Sequence, residues 1–200
     1  MIALLTFLMK VHKPQSSQEK NDYSSKEEMS HLVALAKAGD VQAFGKVYDR
    51  LVKRVYRFVQ FRVGIREEVE DLTEEIFLKA YEKLESFDES KHVPFEAWLF
   101  RIARNHIIDY YRTEKKRLMI DQREIADDCI STEEALEKQL LLKDVMEALK
   151  KLPLSYQEIV ILKFIEDRDN KDIAHILNKR CDQVRVLQSR ALKALKKILK

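Results

Sequence analysis

The sequence is poor in residues that interrupt helices. Its 200 residues include only three glycines and three prolines. Glycine and proline are the strongest breakers of regular structure, whereas the abundant Leu, Ile, Lys and Glu favour or tolerate helices. We therefore predict an all-α protein that contains no β-sheet.

Cysteine is equally scarce. Cys129 and Cys181 have no CxxC partner and no histidine at metal-ligand spacing. This pattern argues against both a disulfide framework and a zinc site. We therefore expect no cofactor and a reducing compartment, the cytoplasm.

A long apolar run is also absent. The segment "IALLTFLM" at residues 2–9 is far shorter than the ~20 residues of a membrane helix. It also lacks the cationic segment and cleavage site of a signal peptide. We predict that residues 1–28 form a mobile leader, with Met29 as an alternative start, and that no stable membrane insertion occurs. The alternative is a weak membrane or partner contact through the leader's apolar side chains.

Residues that could form a catalytic site are scattered. No glycine-rich phosphate loop is present, and no Ser or Cys has a base nearby. The histidines are dispersed as His12, His31, His92, His106 and His175. We therefore expect a protein that is not an enzyme.

Helical periodicity dominates from residue 31 onward. The first predicted helix has Leu32, Leu35 and Ala36 facing inward and ends at Gly39. Further helices are predicted at residues 41–63 and 66–87, followed by a loop at 88–93. The first half of the helix at 66–87 carries a concentration of acidic residues.

The helix at residues 95–112, "FEAWLFRIARNHIIDYYR", has two distinct faces. Helical spacing assigns the core face to Phe95, Trp98, Leu99, Ile102, His106 and Tyr110. The second face mixes cations, an amide and apolar groups: Ala97, Arg101, Arg104, Asn105, Ile108 and Arg112. The alternative interpretation is that these arginines are ordinary surface charges.

The charge pattern predicts two domains. Residues 114–137 form an acidic, weakly apolar linker between a domain at 29–113 and a domain at 138–200. Helicity resumes near Ser131, which with Glu134 has the spacing of a capping box. Pro153 then breaks a helix at 140–152, and Ser155 with Glu158 offers a second capping box for a helix at 156–166.

The C-terminal segment has the pattern of a helix-turn-helix. A short helix buries Ile173, Ala174, Ile176 and Leu177, and a longer helix buries Val184, Leu187, Ala191, Leu195 and Ile198. Asn178 lies in the turn, and asparagine tolerates the left-handed conformation. The longer helix has a basic outer face suited to DNA phosphates, formed by Arg185, Arg190, Lys193, Lys196 and Lys197. The alternative interpretation is a solvated basic face.

In order and spacing, these segments resemble one known family. The segments are "DLTEEIFLKAYEKL", "FEAWLFRIARNHIIDYYR", the acidic linker, "LPLSYQEIVILKFIED" and "QVRVLQSRALKAL". Over about residues 31–200 the chain resembles the extracytoplasmic-function sigma factors of bacterial RNA polymerase, in the sigma-70 family. The resemblance implies a factor that binds core RNA polymerase, recognises promoter DNA and helps to melt it. It also implies an anti-sigma protein as a partner.

The resemblance gives the mixed face of residues 95–112 a role in binding the melted minus-ten strand. Cations would follow the backbone, an amide would read a base edge, and apolar groups would support unstacked bases. Asn105 matches the family's position that contacts the melted non-template strand. The implied contacts with the strand are Arg101, Arg104, Asn105, Asp109 and Arg112. The loop at residues 87–93 matches the one that cradles a flipped base.

The resemblance also assigns the acidic helix to docking on the polymerase clamp. The implied polymerase-binding residues are Asp71, Leu72, Glu74, Glu75 and Phe77. For Leu72 and Phe77, packing in the protein core is an equally good interpretation.

The helix-turn-helix would read the minus-thirty-five element as a duplex. The implied contacts are Arg180, Gln183, Arg185, Val186, Ser189 and Arg190. Three residues depart from the family pattern. Arg180 stands where a Ser or Thr cap is usual, Asp182 replaces a small residue and Lys179 replaces an apolar one. The sequence therefore leaves open the residue at which the recognition helix begins.

Two other classes of protein remain alternatives. A conventional regulator would use only the helix-turn-helix and would bind duplex DNA tightly without polymerase. A helical adaptor would bind protein and would show no salt-dependent binding to DNA.

Overall fold

The computed structural model describes residues 19–117 and 145–198, and within these ranges every regular element is helical. This confirms the predicted all-α class. The first region contains α1 (Glu19–Lys37), α2 (Val41–Val63), α3 (Arg66–Glu82) and α4 (Phe95–Arg117). The second contains α5 (Leu154–Val160), α6 (Asn170–Leu177) and α7 (Cys181–Ile198). Among the described helices, none combines the length and apolarity needed to cross a membrane.

Local signals set the ends of α2 where the sequence predicts them. The Asp40 carboxylate caps the first turn by accepting hydrogen bonds from the backbone N–H groups of Gln42 and Ala43, at 2.9 and 3.1 Å. Gly39 ends the preceding helix with a φ of 95°, and Gly64 follows α2 with a φ of 87°. Because residues with a Cβ rarely adopt such angles, glycine suits both positions.

The first helix differs from its predicted form. It begins at Glu19 rather than near residue 31, so it includes residues assigned above to a mobile leader. Its buried stripe is Met29, Leu32, Val33 and Ala36, whereas Leu35 is 37% exposed. The segment "LVALA" is apolar on several sides, so its periodicity alone cannot choose the buried stripe. Packing of α1 against α2 makes that choice.

The fourth helix packs against α1, α2 and α3 and is buried over a wide arc. Its most buried line is Leu99, Phe100, Ala103 and Ile107, and the Phe100 ring meets Phe58 of α2 edge to face at 5.3 Å. Phe95, Trp98 and Leu99 are in the core, as predicted. Ala97 was assigned to the mixed outer face, but it is buried. The sequence prediction was too narrow because it assumed that α4 had one buried side.

The second region also corrects one local prediction. Helix α5 begins after Pro153 with no side-chain cap, and Ser155 lies inside the helix, so the proposed Ser155–Glu158 capping box does not cap its first turn. The Pro153 carbonyl accepts from the backbone N–H groups of Tyr156 and Gln157, at 2.8 and 3.1 Å, and the exposed first residues of the helix leave their own N–H groups to water. The chain continues through a π-helical turn, Ile161–Ile165. Residues 145–150 are helical, within the predicted 140–152 helix.

The helix-turn-helix forms as predicted. Ile173, Ile176, Val184 and Ala191 are fully buried, and α7 packs against α5. Asn178, in the turn, has a φ of 51°, which confirms its predicted left-handed conformation. The acidic linker, the Ser131–Glu134 box, Cys129 and residues 1–18 lie outside the described residues.

Candidate nucleic-acid interfaces

An exposed row of polar side chains runs along α4. Arg101, Asn105, Asp109 and Arg112 are three or four residues apart, and all four are exposed. They therefore share one face of the helix, opposite the buried line. Arg104 and Ile108 flank this row and are half-buried. We call Arg101, Asn105, Asp109 and Arg112 the α4 row.

Two weak polar contacts involve the α4 row. One joins two residues of the row, and the other joins the row to Arg104 beside it. A guanidinium nitrogen of Arg112 lies 3.4 Å from Asp109 Oδ1. A guanidinium nitrogen of Arg104 lies 3.5 Å from Asn105 Oδ1, at the limit of a hydrogen bond. Both contacts are exposed and therefore contribute little to stability. The side chains remain available to a ligand.

Polar contacts immediately beside the α4 row fix the rotation of α4. His106 Nε2 and Glu75 Oε2 of α3 are 2.6 Å apart, and His106 Nδ1 lies 2.6 Å from Lys79 Nζ of α3. The Tyr110 hydroxyl donates to a Glu68 carboxylate oxygen, and the Tyr111 hydroxyl donates to the backbone carbonyl of Arg62. These contacts could not be predicted from the sequence, because they depend on how the helices are rotated against each other.

The chemistry of these contacts determines the state of His106. The Lys79 ammonium can only donate, so His106 Nδ1 accepts its hydrogen bond. The proton of the neutral imidazole is therefore on Nε2, which donates to Glu75 Oε2. Burial lowers the pKa of His106, and the Lys79 charge lowers it further, although Glu75 opposes both effects. The imidazole is therefore neutral at pH 7. His106 lies at the edge of the core, as the sequence suggested.

Tyr111 acts as a buried donor. Burial raises the pKa of its phenol, so the hydroxyl keeps its proton and can donate to the Arg62 carbonyl. This contact joins the C-terminal half of α4 to the end of α2. It is the fourth side-chain contact beside the α4 row, after two from His106 and one from Tyr110.

The loop before α4 has buried ends and an exposed centre. Phe87 is buried against Phe95 and Trp98, with ring centroids 5.2 and 5.3 Å away. Lys37 Nζ donates to the Phe87 carbonyl at 2.8 Å. Residues 88–92 between these anchors are exposed, and they include a 3-10 turn at Glu89–Lys91.

The centre of this loop is ordered by its own side chains. Asp88 Oδ1 accepts hydrogen bonds from the Ser90 backbone N–H at 3.0 Å and from the Ser90 hydroxyl at 2.6 Å. These two hydrogen bonds lower the pKa of Asp88. His92 follows with a φ of 52°. The loop is therefore a defined turn with a polar, solvent-facing edge.

The implied polymerase-binding residues on the acidic helix α3 differ in exposure. Asp71, Glu74 and Glu75 are exposed, whereas Leu72 and Phe77 are buried to 5% and 4% exposure. Phe77 packs edge to face on Tyr48 of α2, with centroids 4.7 Å apart. Leu72 and Phe77 thus occupy the core, which was the equally weighted alternative.

Helix α7 begins at Cys181, so the structure gives the start that the sequence left open. Gln183, Arg185, Val186, Ser189 and Arg190 are all exposed, close to this start. Arg180 is the residue before the helix, and its Nε lies 3.2 Å from Asp182 Oδ1. Gln188 Nε2 donates to Asn170 Oδ1 at 2.8 Å, which links α7 to the start of α6.

The basic residues of α7 continue beyond this start. Lys193, Lys196 and Lys197 are exposed farther along the helix, on the outer side away from Ala191 and Leu195. The helix therefore presents cations over most of its length. Within the part of the chain that the structure describes, His, Cys, Asp and Glu form no cluster that could hold a metal ion.

Family models match both regions. The model for sigma-70 region 2 matches residues 47–117, and the model for sigma-70 region 4 matches residues 142–195. A helical protein with these two regions belongs to the sigma-70 family. The α4 row lies within the first match, and the start of α7 lies within the second.

Similar curated proteins identify the subgroup of the sigma-70 family. The chain is 33% identical over 177 residues to the ECF RNA polymerase sigma factor BldN of Streptomyces coelicolor, covering 86% of this chain and 66% of BldN. It is 30% identical over 175 residues to the ECF RNA polymerase sigma factor SigW of Bacillus subtilis, covering 82% of this chain and 92% of SigW. The chain is therefore an extracytoplasmic-function sigma factor, one of the initiation factors that bind RNA polymerase and recognise promoters.

Solved structures agree with this assignment. The structure of CnrH in complex with the cytosolic domain of CnrY matches with a TM-score of 0.67 and 26% identity, covering 86% of this chain and 97% of CnrH. The sigma factor RpoE, in complex with the anti-sigma factor NepR from Bartonella quintana, matches with a TM-score of 0.65 and 22% identity, covering 80% of this chain and 98% of RpoE. The latter likeness concerns the fold alone.

Proposed function

We propose that this sigma factor reads its promoter through two separate surfaces. The α4 row binds the melted minus-ten strand, and the start of α7 binds the minus-thirty-five duplex. In this proposal the functional domains are residues 29–113 and 138–200, joined by the linker at 114–137. The observation that carries the proposal is the α4 row, because exposed cations with an amide between them suit an unpaired strand.

On α4, each side chain has a distinct proposed role. Arg101 and Arg112 are eleven residues apart, about 16 Å along the helix, and hold phosphates near the two ends of the row. Asn105 lies between them and reads a base edge. The half-buried Arg104 contacts a phosphate beside the row, and the half-buried Ile108 supports an unstacked base. Asp109 restrains Arg112 and can accept from a base amino group.

On α7, the proposed contacts lie near the helix start. Arg185 and Arg190 contact the duplex, and Val186 and Ser189 face base edges beside them. Arg180 contacts the backbone at the entry to the helix, and Gln183 reads a base. The lysines at 193, 196 and 197 add contacts with phosphates. A helix whose first turns enter the major groove needs this concentration of exposed groups at its start.

The exposed acidic residues of α3 are the proposed polymerase-docking surface. Among the described residues, Asp71 and Glu74 have no hydrogen-bond or ion-pair partner, whereas Glu75 is hydrogen-bonded to His106. The pair Asp71→Lys with Glu74→Lys should therefore weaken binding to core polymerase while the melting temperature stays unchanged. Unchanged binding by the folded double variant would remove this assignment.

We further propose a protein inhibitor as a partner and a cytoplasmic location. CnrH, at 26% identity and with a similar fold, has been solved in complex with the cytosolic domain of CnrY, which supports a protein partner for this chain. An anti-sigma protein of this kind would cover the α4 row or the start of α7. Either mode would block promoter recognition.

The decisive experiment compares Asn105→Ala with Arg185→Ala in holoenzyme. On fully duplex promoter DNA, Arg185→Ala should weaken binding to the upstream element by about 1–3 kcal/mol. Asn105→Ala should leave upstream binding intact and lower the yield of open complexes. On a promoter mismatched open at minus ten, the Asn105→Ala defect should persist, because the lost contact is with an unpaired base.

Matched controls separate the contacts from general effects. Gln60→Ala removes an exposed amide from α2, and Lys151→Ala removes an exposed cation before α5. Neither change should alter binding or open-complex yield. If Asn105→Ala is normal on both templates, the assignment of α4 to base reading fails, whatever Arg185→Ala does.

A further inference from the structure

The start of α7 is capped in an uncommon way. The residue before a helix is usually Ser, Thr, Asn or Asp, whose side-chain oxygen caps the first turn. Here that residue is Arg180, whose guanidinium side chain has no hydrogen-bond acceptor. Instead, the Arg180 backbone N–H donates to Gln183 Oε1 at 3.0 Å. This contact is the half of a capping box in which the third helical residue reaches back to the cap residue.

The cap determines the orientation of the Gln183 side-chain amide, that is, whether Oε1 or Nε2 faces Arg180. Oxygen and nitrogen of a glutamine amide look alike in most structures, so their assignment depends on the hydrogen-bond network. A backbone N–H is only a donor, so the amide atom beside it must be the oxygen. Nε2 therefore points away from Arg180, and it has no acceptor in the part of the chain that the structure describes. Gln183 presents its two N–H hydrogens outward.

This orientation changes the base that Gln183 can read. An unconstrained glutamine reads adenine with both amide atoms, because Oε1 accepts from N6 and Nε2 donates to N7. In this chain the Arg180 N–H occupies one lone pair of Oε1 and restrains the amide plane. The oxygen keeps a second lone pair, but the amide can no longer turn freely to align both atoms with an adenine edge. Donation from Nε2 is the contact that needs no loss of the cap.

Neighbouring residues favour the same contact. Gln183, Val186 and Arg190 are three and four residues apart, so they form one exposed stripe of α7. Val186 is 48% exposed, although it is apolar, and such a side chain suits the methyl group of a thymine. Arg190, like the Gln183 amide, is a donor and suits the acceptor edge of guanine. The stripe therefore presents hydrogen-bond donors and an apolar group that can contact a methyl group, while Gln183 Oε1 is bonded to the Arg180 N–H.

We propose that Gln183 is a specificity-determining residue that selects a keto base, guanine or thymine, in the upstream duplex. The contact that selects is donation from Nε2 to guanine O6 or thymine O4, because donation to N7 is open to adenine and guanine alike. The amino groups of adenine and cytosine are donors, so they cannot accept a hydrogen bond from Nε2. This inference rests on the proposed function of α7 as a reader of duplex DNA. It goes beyond that function because it names the kind of base.

The test uses holoenzyme and a promoter library randomised through the upstream element. The minus-ten region of the library is mismatched open, so that selection reports upstream binding rather than melting. Bound DNA is sequenced for the wild type, Gln183→Ala and Gln183→Glu. The wild type should enrich keto bases over amino bases about tenfold at one position. Gln183→Ala should lose that preference while the other positions keep theirs.

The variant Gln183→Glu separates reading from capping. Glutamate supplies the same oxygen to the Arg180 N–H, and it is a normal capping-box residue. Its second oxygen replaces the donor with an acceptor, so the preference at the same position should reverse toward cytosine or adenine. The added negative charge will weaken binding to all DNA, and the comparison is therefore made within each variant's own selection. An equal melting temperature verifies that the helix start is retained.

Each contrary outcome has a distinct meaning. Enrichment of adenine by the wild type would show that Nε2 donates to adenine N7 or that Oε1 leaves the cap to accept from N6, and either result would overturn the inference. So would a preference that is the same in all three proteins. Arg185→Ala and Arg190→Ala are selected in parallel. If neither weakens upstream binding, the proposed function of α7 itself fails, whereas if they do and Gln183 has no effect, only the present inference fails.

Discussion

The two regions hold their candidate DNA-reading residues by different means. The α4 row lies within a 23-residue helix, and the residues behind it pack on α1, α2 and α3. The contacts of His106, Tyr110 and Tyr111 add side-chain links next to the row. The reading residues of α7 lie at the start of an 18-residue helix, directly after a turn.

This difference predicts different sensitivities. The rotation of α4 is shared among many core and polar contacts, so a single change there should reduce stability before it alters the surface. The first turn of α7 depends on a few local groups, namely the backbone of Asn178, the Gln183 cap and the Gln188–Asn170 hydrogen bond. Changes to those groups should alter reading while most of the region remains folded.

The largest effect should come from the core behind the α4 row. Phe100 is fully buried and contacts Phe58, so Phe100→Ala should lower the free energy of unfolding by about 3–5 kcal/mol. Urea denaturation of the full chain measures this loss. Leu78→Ala on the exposed side of α3 is the control and should change stability by less than about 0.5 kcal/mol. A loss below about 1 kcal/mol for Phe100→Ala would contradict the proposed role of packing.

The turn before α7 should show the next largest effect. Asn178 adopts a φ of 51°, and alanine in this conformation costs roughly 1–2 kcal/mol. Asn178→Ala should destabilise the helix-turn-helix and weaken upstream duplex binding. Asn178→Gly should preserve both properties, because glycine adopts the angle without strain. Equal binding by Ala and Gly variants would show that this turn does not position α7.

A smaller effect is expected from the hydrogen bond at the end of α4. Tyr111→Phe removes the donor to the Arg62 carbonyl and should cost about 0.5–1.5 kcal/mol. Tyr56→Phe is the matched control, because Tyr56 is half-buried on α2 and has no hydrogen bond in the described part of the chain. The two variants can be compared by thermal denaturation. Equal melting temperatures would indicate that the Tyr111 hydroxyl contributes nothing to the position of α4.

The smallest effect concerns the pH dependence of His106. Its pKa is lowered by burial and by Lys79, so the folded state binds fewer protons than the unfolded state. The stabilisation is fully present above the unfolded pKa of about 6.5, and it is lost as the pH falls from there through the lower folded value. Glu75 and Asp109 oppose the shift and limit its size.

His106→Gln should remove this part of the pH dependence. The measurement is the free energy of unfolding between neutral and mildly acidic pH, compared with the wild type. His175→Gln is the control, because His175 is exposed on α6. If His106→Gln keeps the wild-type slope, the neutral imidazole between Lys79 and Glu75 is not the source of the effect.

Comparison of prediction with structure shows which signals are local. The bounds of α2, the acidic face of α3, the left-handed Asn178 and the basic face of α7 could all be predicted from the sequence. Each depends on residues within a few positions of one another, through capping, glycine geometry or helical spacing. The family resemblance, which the comparisons confirmed, also rests on residues close together in sequence.

The errors occurred where several apolar faces were available. Helix α1 could have buried Leu35 or Val33, and the mixed face of α4 was assigned Ala97, which is in the core. Hydrophobic periodicity identifies an amphipathic helix, but it cannot tell how many neighbours the helix has. The starting residue of α7 was open for a related reason, because Arg180 offers no usual capping signal.

Local propensity and motifs at fixed spacing were enough to predict the all-α class, the helix-turn-helix and the family. Three further properties arise from the packing of the helices: the neutral state of His106, the burial of Leu72 and Phe77, and the wide buried arc of α4. These properties depend on contacts between helices that are distant in sequence. The Gln183 cap joins residues only three positions apart, yet it was found only in the structure, because a glutamine at that position can either cap the helix or extend into solvent.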